Sequence, residues 1–92
     1  MHYVYILLSK KDDKLYIGYT NNLKERMEKH NAGKVQSTKN RTPFSLIYYE
    51  ACLDESDART KEKFFKTGWG RNYINKNLKQ TLKKAKVWAG IV

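Results

Sequence analysis

One cysteine, Cys52, stands among 92 residues. A lone thiol excludes an intrachain disulfide and a cysteine-based zinc site, and it fits a reducing cytoplasm, the expected location. No apolar run approaches 18 residues, so no membrane span is expected. The stretch "VYILL" is too short for a signal-peptide core, and no basic segment precedes it. Repeats, low-complexity tracts, linkers, helix-turn-helix patterns and zinc fingers are all missing. One domain, 1–92, is expected, with a core that can stand alone but has little to spare. Acidic residues are also scarce. Nine Asp and Glu face nineteen Lys and Arg, a formal charge of +10. On so small a domain that imbalance points to a polyanionic partner, nucleic acid first. A membrane surface fits less well, because no helix sets a clean basic face against a bulky apolar one.

What is present reads as alternating strands and helices. "HYVYILLS", residues 2–9, is β-branched and aromatic, "KKDD" is a turn, and "KLYIGYT" is a returning strand, so the chain opens with a hairpin. "TNN" offers N-caps for a helix, "LKERMEKHNA", that stops at Gly33. A basic loop, 34–43, precedes a third strand, "FSLIYYEA". "DESDA" opens a second helix, expected to run to a break at the glycines of "GWG", 68–70. Asp54, Glu55 and Asp57 favour the macrodipole of that helix. Ile74, Leu78 and Leu82 predict a third helix over 71–85, after which "KVWAGIV" packs or frays. The order ββαβαα predicts an α+β fold: a small three-stranded antiparallel sheet flanked by about three helices.

A few residues do not read as packing alone. Leu23, Arg26, Met27 and His30 share one face of the first helix, the face that must meet the sheet. Arg26 either finds a partner there or snorkels to water. In the second helix Glu62 stands on a stripe otherwise made of Ala58, Phe65 and Trp69. It is either the surface partner of Lys66, four residues on, or an acid at the edge of a pocket. In the hairpin, Tyr3 and Tyr5 share one strand face, and Tyr16 and Gly18 share another. Facing each other, they would set two phenols beside bare backbone at Gly18; as plain strand residues, the tyrosines would simply pack. A guanidinium, an imidazole, two phenols and one carboxylate on converging faces suit phosphodiester chemistry.

With these residues in order, the sequence resembles the GIY-YIG nuclease superfamily, and in particular its small single-domain bacterial members and the N-terminal nuclease domain of the excision-repair endonuclease. "YIG" stands intact as Tyr16-Ile17-Gly18, and the first half reads Tyr3-Val4-Tyr5, without its leading glycine. The blocks "TNNLKERMEKHNAGK" and "DARTKEKFFKTGWGR" extend the likeness over roughly residues 2 to 80. Tyr19 stands where the excision-repair members carry a lysine. The resemblance implies catalytic Tyr5, Tyr16, Arg26, His30 and Glu62, with Glu62 holding one divalent cation, Mg²⁺ or Mn²⁺. Asn77, with Asn75 close behind, matches a C-terminal asparagine of some members. Gly18 would let a phosphodiester backbone lie against the sheet, and Lys34, Lys39 and Arg41, with Lys76, Lys79, Lys83 and Lys84, would track neighbouring phosphates. The activity implied is endonucleolytic hydrolysis, of DNA more than RNA, in repair or recombination. Its specificity would be low, guided by substrate structure or lent by a protein partner. The alternatives are a non-catalytic nucleic-acid-binding module and a purely structural adaptor.

Overall fold

The computed structural model describes residues 1–88. Seven elements follow one another: β1 (His2–Ser9), β2 (Leu15–Thr20), α1 (Leu23–Asn31), β3 (Phe44–Cys52), α2 (Glu55–Phe65), α3 (Gly68–Asn77) and α4 (Lys79–Trp88). The strands form one antiparallel sheet in the order β2-β1-β3. β1 is central, and residues 4–8 are wholly buried because helices cover both of its faces. That double burial explains an unbroken apolar run where a one-sided sheet would alternate. Val4 and Ile6 pack with Ile17, Phe65, Ile74, Leu78 and Leu82, beneath α2, α3 and α4. Tyr5 and Leu7 point the other way and pack with Phe44, Leu23 and Met27, beneath α1.

Local chemistry sets the helix starts. Asn22, Asp54 and Thr67 cap α1, α2 and α3 by accepting from the backbone N–H of Glu25, Ser56 and Gly70. α1 ends as the sequence predicts, with Lys34 N–H donating to the Lys29 carbonyl across Gly33.

Three expectations are corrected here. α2 stops at Phe65, and "GWG" opens α3 where a break was expected. At Gly70 a Cβ would run into the Phe64 carbonyl and the Phe65 Cα. The glycine lets the start of α3 abut the end of α2, and Ile74 then reaches the core. The third helix is two helices, α3 and α4, parted at Leu78. In one straight helix, residues spaced by four drift about 40° at each step; the break lets Ile74, Leu78 and Leu82 all face the sheet. Trp69 does not continue the stripe of Ala58 and Phe65: it is 80% exposed, while those two are buried. The expected packing or fraying beyond Trp88 lies outside the described residues.

Candidate active site

The first functional pair comes from strand register. Tyr5 pairs with Gly18 and Leu7 with Tyr16, so both tyrosines stand on the α1 face, with ring centroids 6.4 Å apart. The space above Gly18 holds the Tyr5 ring, and a Cβ there would run into Tyr5 Cζ and Oη. The bare backbone thus admits a phenol, which corrects the expectation of a phosphodiester at this position.

α1 lays two more groups on that face. His30 is fully buried. Its Nε2 is hydrogen-bonded to Tyr5 Oη at 2.8 Å and its Nδ1 to Thr38 Oγ1 at 2.8 Å. Burial, and then the Arg26 charge, lower the His30 pKa to about 4, so the ring is neutral at pH 7. Arg26 Nε donates to Tyr5 Oη at 3.4 Å. It is half-buried, and the hydrogen bond it gives to Tyr5, with a lesser one to Tyr16, raises its own pKa further. Burial pushes the Tyr5 phenol up; the Arg26 hydrogen bond pulls against this without winning, and the Tyr16 and Glu62 charges add to the rise. Tyr5 is therefore a protonated phenol. Tyr16 is only half-buried, and its hydroxyl lies 3.4 Å from Ser37 Oγ.

Glu62 belongs to α2, on the other face, and its charge is the least of the causes that raise the Tyr5 pKa. Its side chain is 16% exposed and engaged by Lys66 Nζ at 3.0 Å and Arg59 at 3.8 Å. Two hollows are lined in part by residues of β2. The first, a cleft of about 610 Å³, is lined by Lys14, Tyr16, Arg41, Lys66, Arg71 and Asn75, among others. In the second, Arg26 from α1 and Arg59 from α2 face a hollow of about 430 Å³ that also holds Tyr19 and Glu55. Arg59 lies 3.8 Å above the Tyr19 ring. Each hollow is thus lined by cations and by one tyrosine, Tyr16 in the first and Tyr19 in the second.

Two other expected residues are placed differently. Arg41 is ion-paired with Asp12, and its Nη2 also donates to the Lys14 carbonyl at 3.1 Å. It staples the loop to the hairpin, holds the Asp12 carboxyl far below the usual carboxylate range, and shows the cleft only part of its surface. Asn77 turns back to donate to the Tyr73 carbonyl at 2.9 Å, whereas Asn75 lines the cleft. Lys34 and Lys39 are exposed, as expected of phosphate contacts.

Thr38, Arg59, Arg71 and Lys14 were not singled out from the sequence. Thr38 sits in a loop that looks solvated, yet it and Val35 are buried beneath α1. Arg59 carried a legible signal: it lies three residues before Glu62, on the same helix face. Among the described residues no cluster of three or more His, Cys, Asp or Glu could hold a metal, and no helix is long and apolar enough to cross a membrane.

Comparison with known proteins identifies the family. The model of the GIY-YIG catalytic domain matches residues 1–84. UPF0213 protein SH2523 of Staphylococcus haemolyticus is 46% identical over 67 residues, 72% of this chain and 80% of that protein. UPF0213 protein OB0043 of Oceanobacillus iheyensis is 44% identical over 62 residues, 66% of this chain and 71% of its own length. UPF0213 protein CPE1444 of Clostridium perfringens is 42% identical over 67 residues, 72% and 71% of the two chains. These names state no activity. No solved structure matches the chain.

Proposed function

The chain belongs to the GIY-YIG catalytic-domain family, and on that premise we propose that it is a metal-dependent endonuclease that hydrolyses phosphodiester bonds in DNA. One observation carries the proposal: Tyr5, Tyr16, Arg26 and His30 come together on the α1 face of the sheet, and Tyr16 and Arg26 each line a hollow that also holds other cations.

The chemistry divides between the two phenols. Tyr16 lines the cleft, so its hydroxyl orients the attacking water. Tyr5 is buried and meets Arg26 and His30, so it positions the guanidinium. Arg26 can only donate. It gives a hydrogen bond to Tyr5 Oη, which leaves the phenol proton for His30 Nε2 and His30 Nδ1–H for Thr38 Oγ1. The chain Thr38–His30–Tyr5 thereby holds Arg26 where charge builds on the phosphate, and Arg26 can take that phosphate bidentately. Glu62 is a single carboxylate that belongs to no cluster of three or more His, Cys, Asp or Glu among the described residues. Such a donor set fits a cation that keeps most of its waters and takes phosphate oxygens, as Mg²⁺ or Mn²⁺ does. When bound there, that cation would neutralise charge on the scissile phosphate and its leaving oxygen. Lys14, Lys66 and Arg71, with Lys34 and Lys39, contact flanking phosphates and read no sequence. Low specificity follows, with preference set by substrate structure or by a partner, and a role in repair or recombination fits such cleavage.

One observation favours a second reading, a non-catalytic nucleic-acid module: Glu62 is already neutralised by Lys66 and Arg59. A cleavage panel of branched, nicked, single-stranded and duplex DNA with Mg²⁺, Mn²⁺ or chelator decides between them. Cleavage that requires metal, with binding that survives chelator, supports the nuclease. Binding without any cleavage supports the module. The logarithm of the binding constant should fall with the logarithm of salt by about 0.9 for each phosphate neutralised on duplex DNA.

A further inference from the structure

Trp69 is 80% exposed at the corner between α2 and α3. Its placement follows from its neighbour. Gly70 must lie against the Phe64 carbonyl, and successive residues of a helix point about 100° apart. The indole is therefore turned off the helix contact and into solvent. Lys66, three residues before it, and Arg71, two residues after, both line the cleft. One turn further along α3, Tyr73 is 39% exposed, and its ring centroid lies 6.0 Å from that of Phe64. The corner is thus an aromatic surface at the rim of a cationic cleft.

Charge identifies the occupant. From residue 63 to residue 92 the chain carries Lys63, Lys66, Arg71, Lys76, Lys79, Lys83, Lys84 and Lys86, and no Asp or Glu. An exposed indole in such surroundings suits a ligand that combines a flat apolar group with negative charge. A nucleotide whose base is unpaired has both, whereas a base in duplex has its faces already stacked. We infer that Trp69 is a stacking platform for an unpaired base of the strand that lies in the cleft, its phosphates held by Lys66 and Arg71. The inference rests on the nucleic-acid reading above, and it extends that reading from charge to substrate structure: the cleft takes DNA at a junction between paired and unpaired segments.

The test measures affinity by fluorescence anisotropy of labelled DNA in chelator, so that no cleavage intrudes. The probes are a blunt duplex and the same duplex with a single-stranded overhang. The parent chain is expected to prefer the overhang. Trp69→Ala should weaken overhang binding between about fivefold and a hundredfold and leave blunt-duplex binding unchanged, and Trp69→Phe should restore most of the loss. Circular dichroism and Tm on the same samples show that Trp69→Ala is folded. Equal overhang affinity in the parent and in Trp69→Ala overturns the inference and leaves the corner to a protein partner. So does an equal loss on both probes, which would mark a general effect on the cleft. Failure of the parent to bind either probe overturns the nucleic-acid reading itself.

Discussion

On the α1 side of the sheet, His30 and Thr38 are wholly buried and each polar atom in the chain Thr38–His30–Tyr5 has a partner. On the α2 side, the largely covered Glu62 pairs with Arg59 and Lys66, with half of each cation side chain exposed. The difference separates two kinds of dependence. A buried polar network holds the fold as well as the site, because breaking it strands desolvated groups. Ion pairs whose cations stand half in solvent contribute little to stability, and their value lies in what they bind. Loss of an α1-side residue should therefore cost folding and function together, and loss of an α2-side residue function alone.

Glu62→Gln should show this most strongly. Glutamine keeps the shape and removes the charge that would hold a cation, so cleavage should fall about a hundredfold or more. Stability should change by a few tenths of a kcal/mol. Rate and Tm on one preparation check both halves; parental cleavage would remove Glu62 from the site. His30→Ala should instead cost about 3 kcal/mol of stability, since it leaves a cavity and strands the hydroxyls of Tyr5 and Thr38. Urea unfolding measures this, and a midpoint equal to the parent's would show that the network does not hold the fold.

Titration sharpens the same contrast. His30 has a folded pKa of about 4, below the ordinary value near 6.5. Between those values the unfolded chain binds the extra proton, so the His30 contribution is complete above about pH 6.5 and is lost as pH falls toward 4. The loss should be on the order of 3 kcal/mol. Replacing His30 with Gln should flatten that part of a stability–pH curve, and an equally steep curve in the variant would assign the titration elsewhere. The smallest effect is expected at Lys66→Gln. Removing an exposed partner of Glu62 should alter stability by only a few tenths of a kcal/mol, while the salt dependence of DNA binding falls by about one phosphate. A large drop in Tm would place Lys66 with the buried side.

Local signals in the chain were sufficient for the strands, the first helix and its stop at Gly33, since these depend on period, caps and turns within a few residues. The likeness to the GIY-YIG pattern likewise picked out Tyr5, Tyr16, Arg26, His30 and Glu62, because each sits in an ordered block. Position 18 shows where that ended. A glycine in a strand indicates that something comes close, but only strand register reveals that it is the Tyr5 ring. Position 70 is similar: glycine reads as a break until α3 is seen resting on the end of α2.

Composition, period and motif order thus determined the α+β class and the basic character, and motif order named the candidate site residues. Tertiary structure decided which of two identical side chains is reached by solvent, so that Tyr5 is buried and Tyr16 only half-buried. It decided that Arg41 is spent on Asp12, that Thr38 supports His30, and that Trp69 stands outside the core. Each of these outcomes depends on contacts between residues distant in the chain. Burial and partner choice are properties of such contacts, and no local pattern encodes them.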